Sequence, residues 1–128
     1  MKLEDLQIYQ LSMELSDKIW TAVQEWSIFS KETVGKQLVR AADSIGANIA
    51  EGFGRYHFKE NLNFCFYSRG SLYETKTWLT KAQNRNLIDP EKSRYLINLC
   101  DTLALKLNNY IKTIGKTNIS SGSHQNNK

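Results

Sequence analysis

Apolar residues recur every three or four positions along most of this chain, the period of helices that bury one side. Leu6, Tyr9, Met13, Trp20 and Val23 keep alternating steps of three and four, with Ser16 as the polar member of the series. They predict a first helix over residues 5–26. Val34, Leu38, Ala41, Ile45 and Ile49 mark a second, stopped by Gly52 or Gly54. A third is read over residues 58–84. The fourth follows Leu96, Leu99, Leu103, Leu107, Tyr110 and Ile114 to about residue 116. Short turns between such helices predict an all-α fold, an antiparallel up-down four-helix bundle.

Local signals agree with this division. Asp89-Pro90 pairs an N-cap with a proline at the first helical position. Ser30 or Thr33 is placed to cap the second helix. Gly52 and Gly54 suit a C-cap that needs positive φ. The polar, aperiodic stretch 117–128 predicts a disordered tail behind a bundle domain of residues 1–116.

The second helix also carries a polar stripe. Gln37, Arg40, Ser44, Asn48 and Glu51 fall within an arc of about 80°. The remaining face holds Val39, Gly46, Ala47 and Ala50. So little water-facing surface predicts that another copy of the chain covers this helix. In the third helix, Gly70 and Ser71 are small enough to admit the second helix closely. Glu74 can pair with Arg40 as a guanidinium–carboxylate fork. Gln37, Arg40, Ser44, Asn48, Glu51, Ser71 and Glu74 are therefore read as a structural polar network that fixes register or oligomer state. If the fork were fully buried, Arg40→Ala would cost about 3–5 kcal/mol.

Charge changes the picture of the surface. Residues 1–51 hold five basic and eight acidic side chains, whereas residues 52–85 hold six basic and two acidic. Residues 106–128 add four lysines and no acid. On the third helix, Lys59, Leu62, Phe66, Arg69, Tyr73 and Lys76 share an arc of about 100°. Cations there can meet phosphates and aromatic rings can stack on unpaired bases. Arg55, Lys59, Phe66, Arg69, Tyr73 and Lys76 are the candidate nucleic-acid contacts. The competing reading packs the same aromatic residues on a neighbouring subunit.

Enzyme chemistry finds little support. Glu51 and Glu74 have no histidine or second ligand set beside them, and Ser44 lacks a nucleophile elbow. His57 and His124 are isolated. Gly52-Phe53-Gly54-Arg55 is not a phosphate-binding loop. Cys65 and Cys100 lack partners for a metal site and read as reduced core residues. No catalytic residue, metal or cofactor is expected. No apolar run reaches membrane-spanning length, and MKLEDLQIYQ lacks the apolar region of a signal peptide. A cytoplasmic protein without a membrane partner is expected.

LEDLQIYQLSMELSDKIW, KQLVRAADSIGANIAEGFGR and FYSRGSLYETKTWL together carry a resemblance. The chain is similar to the bacterial four-helix-bundle proteins encoded by intervening sequences of 23S rRNA genes. That family's second-helix pattern is met at Gln37, Leu38, Arg40, Ala41, Ala42, Ser44, Ile45, Asn48, Ile49, Ala50, Glu51 and Gly52. Its third-helix pattern is met at Gly70, Ser71 and Glu74. Two positions depart: SIFSKET replaces a turn that often holds proline, and Arg69 stands where alanine is frequent. The resemblance implies a ring-like homo-oligomer, a pentamer, with no enzymatic activity to carry over. It also implies kinship with accessory proteins of diversity-generating retroelements, which bind nucleic acid through a basic surface. The expected function is thus a non-enzymatic oligomeric bundle that binds RNA or DNA. The alternative is a protein-interacting scaffold or assembly factor without nucleic acid.

Overall fold

The computed structural model describes residues 1–126, with side chains through Lys116. Four long helices account for most of them: α1 (Gln7–Gln24), α2 (Lys36–Phe53), α3 (Phe58–Asn84) and α4 (Pro90–Asn126). No strand occurs among the described residues. The expected disordered tail over 117–128 lies outside the residues whose side chains are described. The helices pack in a closed circuit, α1 on α2, α2 on α3, α3 on α4 and α4 back on α1. One apolar core draws on all of them, with Leu15, Ile19, Ile45, Leu72, Leu79, Leu103 and Leu107 sealed from solvent.

The second-helix stripe is placed as its spacing predicts: Val34, Leu38, Ala41, Ile45 and Ile49 are all buried. On the fourth helix Leu96, Leu103, Leu107 and Ile114 are buried, joined by Ser93 and Cys100. The Asp89 carboxylate caps α4 by accepting from the Lys92 amide at 2.9 Å.

The first helix corrects its expected seam. Met13 and Trp20 are 42% and 54% exposed, and the buried line is Ile8, Ser12, Leu15, Ser16, Ile19, Ala22 and Val23. Helix α1 bears two apolar stripes side by side, and periodicity alone does not say which one meets the core. Ser12 and Ser16 are tolerated inside because each hydroxyl donates to a backbone carbonyl of its own helix, Tyr9 and Met13 respectively.

The entry to α2 also differs. Ser27 is the cap, its hydroxyl accepting from the Ser30 amide at 3.2 Å. A turn at Ile28–Ser30 and a π-helical segment at Lys31–Gly35 then lead into the α-helix, so Ser30 and Thr33 lie inside the helical run. Gly35 is buried there: a Cβ would stand 2.8 Å from Val23 Cγ1.

Glycines act through close approach rather than through positive φ. Gly54 ends α2 at φ −77°, and no glycine among the described residues has positive φ. At Gly52 a Cβ would lie 2.6 Å from Asn61 Oδ1 and 3.0 Å from Phe64 Cβ. The glycine stop is thus a contact site for α3. Gly70 does the reverse of what its size suggests, since a Cβ there meets nothing within 4 Å. It faces open space and not α2.

A polar groove and a basic helix face

The polar stripe of α2 meets α3 along an open groove of about 590 Å³ lined by Gln37, Arg40, Ala41, Asp43, Ser44, Ala47, Ser71 and Glu74. Ser71 reaches across it, its hydroxyl donating to Ser44 Oγ at 3.0 Å. The Asn48 amide donates to Ser44 Oγ at 3.0 Å and to the Ser44 carbonyl at 2.9 Å. Deeper in the same contact, the fully buried Ser68 hydroxyl donates to the Ile45 carbonyl at 2.8 Å.

The rest of the expected network does not close within one chain. Arg40 and Glu74 are exposed, and the ion pairs among the described residues are Arg55–Glu51 and Lys76–Asp101. Glu74 instead accepts from the Trp78 indole at 3.4 Å. Glu51 holds Arg55 at 3.3 Å, one turn along the helix. Gln37 and Arg40 stand at the rim in water. Two long side chains that keep their hydration gain little from pairing across an open groove. The buried-fork cost therefore falls away: Arg40→Ala is expected to change the folding free energy of the single chain by no more than about 0.5 kcal/mol. Chemical denaturation of the dilute protein measures it, and a loss of several kcal/mol would restore the buried fork.

One acid in this groove was not singled out by the sequence. The Asp43 carboxyl is pushed up by partial burial and then by the Asp17 carboxylate of α1. Spacing within one helix carries no sign of a neighbour on another.

The candidate nucleic-acid contacts separate into anchored and free groups. Arg69 donates to Asn108 Oδ1 at 3.1 Å, and its guanidinium lies 5.0 Å from the Phe66 ring centroid. Lys76 pairs with Asp101 at 2.6 Å, and that hydrogen bond raises the ammonium pKa. Both cations thus tie α3 to α4. Arg55 covers the Phe64 ring at 5.0 Å as well as meeting Glu51. Lys59 is exposed, with no hydrogen bond or ion pair among the described residues. Phe66 and Tyr73 are 43% and 53% exposed on the outer face of α3.

Cys65 and Cys100 are buried and free, with burial pushing their thiols up to about 11 and about 12. These thiols hold their protons longer in the folded than in the unfolded chain. Stability contributed by them is therefore full below pH 9 and lost as pH rises toward those values. Both thiols are expected to resist alkylation at neutral pH until the chain unfolds, and thiol titration with and without denaturant checks this. Rapid modification of the native protein would contradict the buried placement.

Among the described residues no three His, Cys, Asp or Glu side chains gather as a metal site, and no helix is long and apolar enough to cross a membrane. What the geometry defines is a helical bundle with a polar groove on one side and a cation-bearing aromatic face on another. The family model of 23S rRNA-intervening sequence proteins matches residues 4–109, and the chain belongs to that family. A similar solved structure is a 1.70 Å crystal structure from Bacteroides thetaiotaomicron VPI-5482, of a protein of unknown function from the S23 ribosomal protein family. It aligns with a TM-score of 0.74 and 23% identity, covering 82% of this chain and 98% of that one. Likeness at that identity speaks for the fold alone. No curated protein matches the chain in sequence.

Proposed function

We propose that this protein is a non-enzymatic, self-assembling antiparallel helical bundle that binds RNA or DNA through the phosphates, using the basic side formed by α3 and α4. The observation that carries the reading is charge segregation. The acidic surplus belongs to the segment of α1 and α2, and the basic surplus to the segment of α3, which packs on α4. Arg55, Lys59, Arg69 and Lys76, with Phe66 and Tyr73, are the proposed contacts. The up-down course is supported by the cross-helix bonds: Ser68 meets Ile45 while Ser71 meets Ser44, and Arg69 meets Asn108 while Lys76 meets Asp101.

Assembly is the second part of the proposal. The outer surface of α2 offers Ala47 in the open, beside the half-buried Val39 and Ala50. Exposed Met13 and Trp20 of α1 add large apolar area. A second copy would cover Ala47 and the Arg40–Ser44 rim, beside the exposed Lys36, Gln37, Asp43 and Glu51, whereas Gly46, expected on the same face, is covered within this chain by Ser12 of α1. The pentameric ring of the family reading is carried over in the same spirit, cytoplasmic location included.

Phosphate-led binding depends steeply on salt. With about four phosphate contacts, affinity is expected to fall about 100-fold between 50 and 200 mM salt. Fluorescence anisotropy with a labelled structured RNA tests this, and a flat salt response would contradict it. A stable oligomer that binds no nucleic acid would favour the scaffold reading.

A further inference from the structure

We infer that the outward line of α3 is a stacking platform for a single, unpaired nucleic-acid strand, with bases on Phe66 and Tyr73 and phosphates on the flanking cations; this rests on the nucleic-acid reading above. Exposed positions recur along α3 at Lys59, Asn63, Phe66, Gly70, Tyr73, Thr77 and Thr80. Alternating steps of four and three keep them on one nearly straight line. From Asn63 to Thr80 that line carries no charge.

Phe66 and Tyr73 stand seven residues apart, about 10 Å along a helix axis. That distance spans about three base steps of 3.4 Å. Between the rings lies Gly70, where a Cβ would meet nothing within 4 Å. A glycine inside a helix is unfavourable relative to alanine, and no neighbour in this chain requires it. Its missing side chain leaves a bare backbone floor on which a flat base can lie.

Cations edge the line. Arg69 is held in place by Asn108 and lies over the Phe66 ring, so its planar guanidinium extends the stacking surface. Lys59 and Lys81 are exposed, Lys81 6.0 Å from the Trp78 ring centroid. Glu60 and Glu74 are the acids of this helix. Against these two acids the helix carries Lys59, Arg69, Lys76 and Lys81, and this net positive charge complements a phosphate chain. Base faces are hidden inside a duplex and open in a single strand, so exposed rings select the single strand.

The test compares oligo(dT), oligo(rU) and a duplex of about 12 nucleotides by fluorescence anisotropy. The wild-type chain is expected to bind the single strands more tightly than the duplex. Phe66→Ala with Tyr73→Ala is expected to weaken single-strand binding by about 5- to 100-fold per ring while duplex binding changes little. Gly70→Leu fills the floor from a position where a Cβ meets nothing within 4 Å, so it should keep or raise the melting temperature and lose single-strand affinity. Duplex preference, or a double variant that binds single strands as tightly as wild type, overturns the platform but leaves nucleic-acid binding standing. A double variant whose particle mass drops instead marks the line as a self-interface and also overturns it. Absence of binding to all three probes overturns both readings.

Discussion

Gly52→Val is expected to destabilise the bundle by about 3 kcal/mol, the upper part of the range for overpacked cores. Gly52 is a close contact of α2 with α3. Even a bare Cβ would stand 2.6 Å from Asn61 Oδ1, 3.0 Å from Phe64 Cβ and 3.1 Å from the Asn61 carbonyl oxygen. The Asn61 amide can rotate, but the carbonyl and Phe64 Cβ move only with the backbone of α3. Displacing Asn61 would also strain its 3.4 Å bond to the Tyr110 hydroxyl, which links α3 to α4. Gly70→Ala supplies the matched control. It faces open space and should stabilise the chain by about 0.5–1 kcal/mol through helix propensity. Melting curves of the two variants should move in opposite directions. A Gly52→Val protein that melts like wild type would show that α2 and α3 are not in that contact.

Ala47→Arg is expected to dissociate the proposed assembly while leaving each chain folded. Ala47 is exposed, and it lines both the polar groove and a neighbouring groove formed with Ala50, Glu51, Gly54 and Arg55. A long cation there costs the single chain little, because the position is open to water. It would cost an assembled interface far more, through lost fit and an added desolvated charge. Particle mass should fall to that of one chain, 14.8 kDa, with the helical circular dichroism unchanged. A variant that keeps the wild-type mass would remove the outer face of α2 from the assembly.

Most of the architecture could be read from the residues, and the reasons are local. The second and fourth helices each have one apolar stripe, so spacing alone places Ile45, Ile49, Leu103 and Leu107 inside. Asp89-Pro90 announces its cap because proline and a side-chain acceptor act within one turn. The first helix misleads because Met13 and Trp20 form a stripe as regular as the buried one. Which stripe faces inward depends on where α2 and α4 lie, and no period in α1 encodes that. The start of α2 escapes the apolar pattern because a π-helical turn separates the Ser27 cap from the α-helical period.

The candidate site was legible as a set of residues and not as a set of contacts. Gln37, Arg40, Ser44, Ser71 and Glu74 do line one groove. Long side chains such as Arg40 and Glu74 choose between each other and water, and exposure decides that choice. The partners Arg69–Asn108 and Lys76–Asp101 join helices far apart in sequence, so they follow from the packing of α3 on α4. The same packing explains why two of the candidate cations are half-occupied by structural work.

The most direct test is multi-angle light scattering of the purified protein, alone and with a structured RNA, across a salt series. The expected result is a particle several times the 14.8 kDa chain mass that gains further mass with RNA at low salt and releases it at high salt. A 14.8 kDa particle would contradict assembly, and an oligomer that never gains mass with RNA would contradict nucleic-acid binding.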